Sequence, residues 1–207
     1  MVLISHIKKF IYIKNVKVAG TSIEAYFEKY CLDPSKNHIV QHKLDSCISE
    51  YGILGSRYGG KKTKYNSHLN ANKIKKYVGD DIFNSYFKFC VVRNPYDKMV
   101  SLYNMKIHRG YNGSFNDFVK SHECINYKRY FINEKSCIDF YIRFEFLNED
   151  LHKVCEILDI EYDINKLPNY KSEYRNDNDY RSYYNEETKK IVYEKHKKEF
   201  ELFGYEF

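Results

Sequence analysis

The sequence predicts an α/β fold, a mainly parallel sheet flanked by helices, and three observations carry that prediction. Two apolar runs of strand length, Phe10–Ile13 and Phe89–Val92, each give way to a polar loop and then to a helix start. Further along, strand-like and helix-like stretches alternate, the pattern of a parallel sheet covered by helices on both faces. No repeat or long linker breaks the alternation. A chain of 207 residues with 43% hydrophobic content suits one domain over 1–207 with a substantial core, and argues against disorder.

Taken in order, residues 8–31 read as strand, loop and helix. Thr21 and Ser22 suit the helix cap, and Ile23, Ala25, Tyr26 and Phe27 continue the helix, with Glu24 and Glu28 on other faces. Residues 32–66 are less regular and rich in Gly, Ser and Lys around 52–64, as expected of a flexible flap or acceptor-side insert. Residues 71–86 look helical. Residues 87–108 form the second strand–loop–helix unit, with Pro95 suited to a first helical turn and Met99, Leu102 and Tyr103 at helical spacing. Ser114 caps a short helix to His122. Cys137 to Phe144 reads as a strand. Phe146 to Leu158 reads as a helix with Leu147, Leu151, Val154 and Leu158 on one face, and Glu186 to Phe200 as the last helix.

Both strand–loop–helix units place anion-binding groups at a helix start. Free backbone N–H groups and the positive end of the helix dipole bind phosphate or sulfate there. Lys17 adds a mobile charge before Gly20, which permits a sharp turn. In the second unit Arg93 ends the strand and Ser101 lies two helical turns on, so guanidinium fork and hydroxyl can converge on one phosphate. The bland alternatives are an ordinary strand–turn–helix with a solvated lysine, and a surface ion pair of Arg93 with Asp97. Two such sites suit a ligand with negative charge at both ends.

At these residues the chain resembles the PAPS-dependent sulfotransferases. Lys17-Val18-Ala19-Gly20-Thr21-Ser22 is similar to their 5′-phosphosulfate loop, and the run from Arg93 to Ser101 to their 3′-phosphate motif. The nearest branch is that of the carbohydrate sulfotransferases, heparan 2-O-like with bacterial and viral relatives. The likeness runs nearly end to end, through Ser67-His68-Leu69-Asn70-Ala71, Ile142-Arg143-Phe144-Glu145, Leu167-Pro168, Tyr183 to Thr188 and Phe203-Gly204-Tyr205. Val16 stands where the family usually has proline, and the stretch after Pro168 is longer than usual.

The resemblance implies a P-loop-NTPase-like sheet and transfer of a sulfuryl group from PAPS (3′-phosphoadenosine 5′-phosphosulfate) to an acceptor hydroxyl, with adenosine 3′,5′-bisphosphate (PAP) as product and no metal. It implies donor binding by Lys17, Ala19, Gly20, Thr21, Ser22, Arg93 and Ser101, joined by Lys171 and Arg175 of the loop after Pro168. The attacking hydroxyl needs a base and the leaving oxygen a cation. Lys17 is the expected cation. His68 is the expected base, since a histidine titrates near neutrality and related enzymes place a histidine base in this segment; a structural hydrogen-bonder or helix cap is the alternative. His108 and Glu24 are the reserve bases. Arg143 and Glu145 are expected to form a structural ion pair.

Composition bounds the partners. Lys and Arg number 34 against 28 Asp and Glu, a net charge of +6 that favours anionic ligands: the donor, an acidic glycan or, non-specifically, nucleic acid. A glycan is the expected acceptor, with no specific nucleic acid and no membrane. The six cysteines form no Cys-x-x-Cys pair, as expected of free thiols in a reducing compartment. No segment has the length of a membrane span and the start lacks a signal-peptide pattern. Golgi members of the resembled family carry an N-terminal anchor; this chain begins almost at its first core strand and is expected to be a cytoplasmic catalytic domain.

Two decoys and two rival functions remain. Gly55 to Lys62 nearly spells a nucleotide-kinase loop, but Lys62 stands where that loop needs Ser or Thr for Mg²⁺. His38 and His42 have helical spacing, which is weak support for a metal. A nucleotide kinase would place its lysine after the glycines, whereas Lys17 precedes Gly20. A non-catalytic polyanion-binding relative would not need Lys17 or His68.

Overall fold

The computed structural model describes residues 2–36, 46–56, 64–168 and 179–207. A six-stranded sheet forms the centre, in the order β3-β4-β1-β2-β5-β8. Its strands are β1 (Leu3–Ser5), β2 (Phe10–Tyr12), β3 (Cys47–Ile48), β4 (Gly52–Leu54), β5 (Phe87–Val92) and β8 (Phe140–Arg143). β6 (Phe131–Ile132) and β7 (Lys135–Ser136) make a separate hairpin. β2, β5 and β8 run parallel, while β1, β3 and β4 add antiparallel pairings. The sheet is therefore mixed, and its parallel half carries both loop motifs. The antiparallel half follows from short connections: β1 and β2 are joined by a tight turn, which allows only antiparallel pairing.

Alternation along the strands sends side chains to two cores. Phe10, Tyr12, Phe89, Val91 and Ile142 face a cluster closed by α1 (Gly20–Phe27) and α6 (Leu147–Ile157). Ile11, Ile13, Cys90 and Val92 face the other side, closed by α2 (Ala71–Val78) and α3 (Asp80–Ser85). A third cluster joins α4 (Pro95–Ile107), α5 (Phe115–Ser121) and α7 (Glu186–Phe203). Leu151 and Val154 of α6 are buried as the spacing predicts.

Several boundaries differ from the sequence reading. The helical stretch 71–86 is two helices, broken at Gly79, whose φ of 88° is outside the helical range. The last helix runs on to Phe203 and stops at Gly204 in the left-handed conformation. Within 32–66, residues 47–54 form two strands that extend the sheet through β1; 37–45 and 57–63 lie outside the described residues, and with them His38, His42 and most of the Gly55–Lys62 decoy. All six cysteines are free thiols, four of them buried. No helix among the described residues is long and apolar enough to cross a membrane.

Buried His196 on α7 gives the fold an acid-sensitive point. Its Nδ1 donates to the Val192 carbonyl at 3.0 Å and its Nε2 accepts from the Cys124 N–H at 3.2 Å. Burial first, and Lys98 next, push its pKa from 6.5 down to about 4. The unfolded chain then binds the extra proton between those values, so stability rises with pH across that window and is lost as pH falls. The full effect is about 3 kcal/mol. Urea unfolding at several pH values is expected to show His196→Gln losing this slope between pH 6.5 and about 4; an unchanged slope removes His196 as its source.

Candidate active site

β2 and β5 are neighbouring parallel strands, so the loops that leave their carboxyl ends emerge side by side. This is where open α/β sheets bind ligands. The first loop, 13–19, enters α1. The second, Arg93-Asn94, enters α4 through Pro95 at the first turn.

The first loop is wound tightly and held from several elements. Lys17 and Ala19 both take the left-handed conformation, at φ 61° and 57°. Each costs a non-glycine residue on the order of 1 kcal/mol or more. The turn thus falls on Lys17 and Ala19, while Gly20 serves close approach. A Cβ there would stand 3.1 Å from Lys14 Cγ and Cε and 3.2 Å from the Tyr12 hydroxyl.

Surrounding groups offset that strain. Asn15 Nδ2 donates to the Val91 carbonyl at 2.8 Å. Asn126 brackets Val16, its Oδ1 accepting from the Val16 N–H and its Nδ2 donating to the Val16 carbonyl, both at 3.0 Å. Arg93 Nη1 donates to the Lys17 carbonyl at 3.2 Å. Ser22 N–H returns to the Ala19 carbonyl at 3.0 Å, leaving the N–H groups of Gly20 and Thr21 among those a helix start cannot satisfy internally.

Arg93 is buried and pairs with Asp97, Nε and Nη2 each 2.7 Å from Oδ2, and lies 4.1 Å over the Phe144 ring. The ion pair with Asp97 therefore exists, but it is buried and braces the first loop. Ser101 is half-buried one further turn along α4, on the face of Asp97. Glu145, just beyond β8, accepts from the Asn94 N–H at 2.6 Å and from the Tyr205 hydroxyl at 3.0 Å. The expected Arg143–Glu145 pair is replaced by a forked Arg143–Asp150 pair at 2.7 and 2.8 Å. Arg143 points toward α6 and Glu145 toward α4, so each is structural with a different partner.

A cleft of about 650 Å³ opens beside the first loop, lined among others by Val16, His68, Cys124 and the cations Lys73, Lys106, Lys128 and Arg129. Lys17 is half-buried and is not among the residues that line it, although its charge acts on the Cys124 thiol, which burial nonetheless raises. His68 sits before α2 with φ 61°. It is not the helix cap; Asn70 is, accepting from the Lys73 N–H at 3.0 Å. Arg129 Nη1 holds the His68 carbonyl at 2.7 Å. Burial first, then Lys14, the amino terminus and Arg129, push the imidazole down to about 3. That differs from the near-neutral titration the sequence suggests: the ring is neutral throughout the physiological range.

The reserve bases fall away from the cleft. Glu24 is fully buried under the loop, 2.5 Å from Lys14 Nζ. His108 is exposed at the end of α4 and does not line the cleft. All of α1 is buried, and so is Glu28 just beyond it, so Glu24 and Glu28 do not lie on a solvated face. Lys171 and Arg175 lie outside the described residues. Among the described residues no group of three or more His, Cys, Asp or Glu is placed to hold a metal.

Asn126, Arg129 and Glu199 are the contributors sequence reading missed. Glu199 Oε1 accepts from the Asn126 N–H at 2.8 Å, and its Oε2 pairs with Lys98 of α4. The only local signal was a lysine, Lys98, among the apolar residues of α4.

Comparison with known proteins identifies the family. A model of the sulfotransferase family matches residues 1–206. An uncharacterized protein of Archaeoglobus fulgidus is 38% identical over 89 residues, which cover 39% of this chain and 74% of that protein. No solved structure matches the chain significantly. With a family match over nearly its whole length, the chain belongs to the sulfotransferase family.

Proposed function

We propose that this sulfotransferase takes its sulfuryl group from PAPS and delivers it to a hydroxyl of an acidic carbohydrate. The observation that carries the reading is the junction of the two loops, where Arg93 of the second donates to the Lys17 carbonyl of the first. The donor set fits the ligand. Lys17 to Ser22 offers an ammonium, two hydroxyls and helix-start N–H groups, with no carboxylate in that run. Ser101, with Arg93, is the proposed 3′-phosphate contact; Lys171 and Arg175 are proposed to join from the loop after Pro168.

PAPS supplies an activated sulfuryl group whose bond to the 5′-phosphate oxygen breaks as the acceptor oxygen bonds to sulfur, releasing PAP. Lys17 neutralises the charge that grows on the leaving oxygen. His68 Nε2 takes the acceptor proton. The negative charge of a donor bound at the loop would draw the imidazole pKa upward, toward a stronger base. The cations Lys73, Lys106, Lys128 and Arg129 line the cleft together with a single carboxylate, Glu123, among the described residues, which suits an acidic glycan.

Calorimetry tests the donor assignment. PAP is expected to bind at least about tenfold more tightly than 5′-AMP, because a charge-assisted contact contributes ~1.5–3 kcal/mol. Equal affinities would remove the 3′-phosphate role of Arg93 and Ser101. Binding is expected to persist in EDTA.

A further inference from the structure

Lys14 touches both halves of the site. Its carbonyl accepts from His68 Nδ1 at 3.3 Å. A carbonyl can only accept, so Nδ1 carries the proton and the lone pair is left on Nε2. Its side chain runs beneath the start of α1, against Gly20. There the ammonium meets Glu24 Oε2 at 2.5 Å, on a carboxylate with no exposed surface. Asn15, next in the chain, is tied to β5 through the Val91 carbonyl. The Ile13 N–H donates to the Phe89 carbonyl at 3.0 Å, so both neighbours of Lys14 are tied to β5.

We propose that Lys14 is a positioning residue: its carbonyl selects the basic nitrogen of His68, and its buried side chain ties that histidine to the loop that holds the donor. The inference rests on reading His68 as the base. It makes the strained loop and the base one unit, so that the loop's setting also sets the direction of the Nε2 lone pair. The Lys14 ammonium, the amino terminus and Arg129 are the charges that disfavour protonation of the ring, in that order after burial. Lys73, Lys106, Lys128 and Glu123 line the same cleft.

Nitrogen NMR of the histidine rings tests this directly. In the wild-type chain His68 is expected as the Nδ1–H tautomer, titrating well below 6.5. Lys14→Met alone would strand the Glu24 charge, so the variant is Lys14→Met with Glu24→Gln, beside Lys14→Arg. The double variant is expected to raise the His68 titration, while Lys14→Arg stays with the wild type. An Nε2–H tautomer in the wild type overturns the proposal and needs no variant. So does an unmoved titration in a folded double variant. Turnover separates the two readings: a loss of about a hundredfold in His68→Ala, with PAP affinity kept, supports His68 as base. Full activity in that variant overturns the base, whereas the tautomer decides the Lys14 contact.

Discussion

Lys17→Ala is expected to lower turnover by about a hundredfold or more, with a much smaller change in PAP affinity. The reason is where the charge is held. Lys17 sits in a left-handed turn whose carbonyl is gripped by Arg93 and whose neighbour Val16 is bracketed by Asn126. A cation on so fixed a backbone is preorganised for the oxygen that gains charge as the sulfur bond breaks. Stabilisation of about 3 kcal/mol in the transition state corresponds to that hundredfold. The measurement is steady-state transfer from labelled PAPS to a uronic-acid-containing oligosaccharide, beside calorimetry with PAP. Lys17→Arg, which keeps the charge, is expected to retain part of the rate. If turnover holds and only donor affinity falls, Lys17 binds the ground state and the proposed role is wrong.

Lys98→Met is expected to cost ~3–5 kcal/mol of stability, the penalty for removing one partner of a buried ion pair. Lys98 and Glu199 are both almost fully buried, so the carboxylate left behind would be out of reach of bulk solvent. In a chain of this size that loss lowers the melting temperature by roughly 10 °C. Lys98→Met with Glu199→Gln is expected to recover most of it, because the amide oxygen still accepts from the Asn126 and Tyr127 N–H groups that Glu199 Oε1 serves. Thermal melts of the wild type and both variants decide the matter; a single variant as stable as the wild type would show the pair to be dispensable. Because Asn126 in turn brackets Val16, the single variant is also expected to weaken PAP binding.

Much of this was legible in the order of residues. Phe10 to Tyr12 and Phe89 to Val92 had to be buried strands, since their alternate side chains feed two separate apolar clusters. Pro95 and Ser114 marked helix starts that the structure keeps. The two loops followed from strand, polar turn and helix in succession. The antiparallel strands β1, β3 and β4 did not, because runs of two or three residues carry too little periodicity to separate from loop.

By itself, then, the sequence determined the α/β class, the parallel core strands and the two strand–loop–helix units, all features written in local patterns of a few residues. Tertiary structure alone decided which groups hold those loops: Asn126 on Val16 across 110 positions, Glu199 on Asn126 across 73, Arg129 on His68 across 61. It also decided that Arg143 pairs with Asp150, that Glu24 is buried beneath the first loop, and that His68 is held neutral. The physical reason is the same in each case. Helix and strand formation depend on neighbours in the chain, whereas hydrogen bonding, burial and charge depend on neighbours in space, which exist only after the sheet has brought distant segments together.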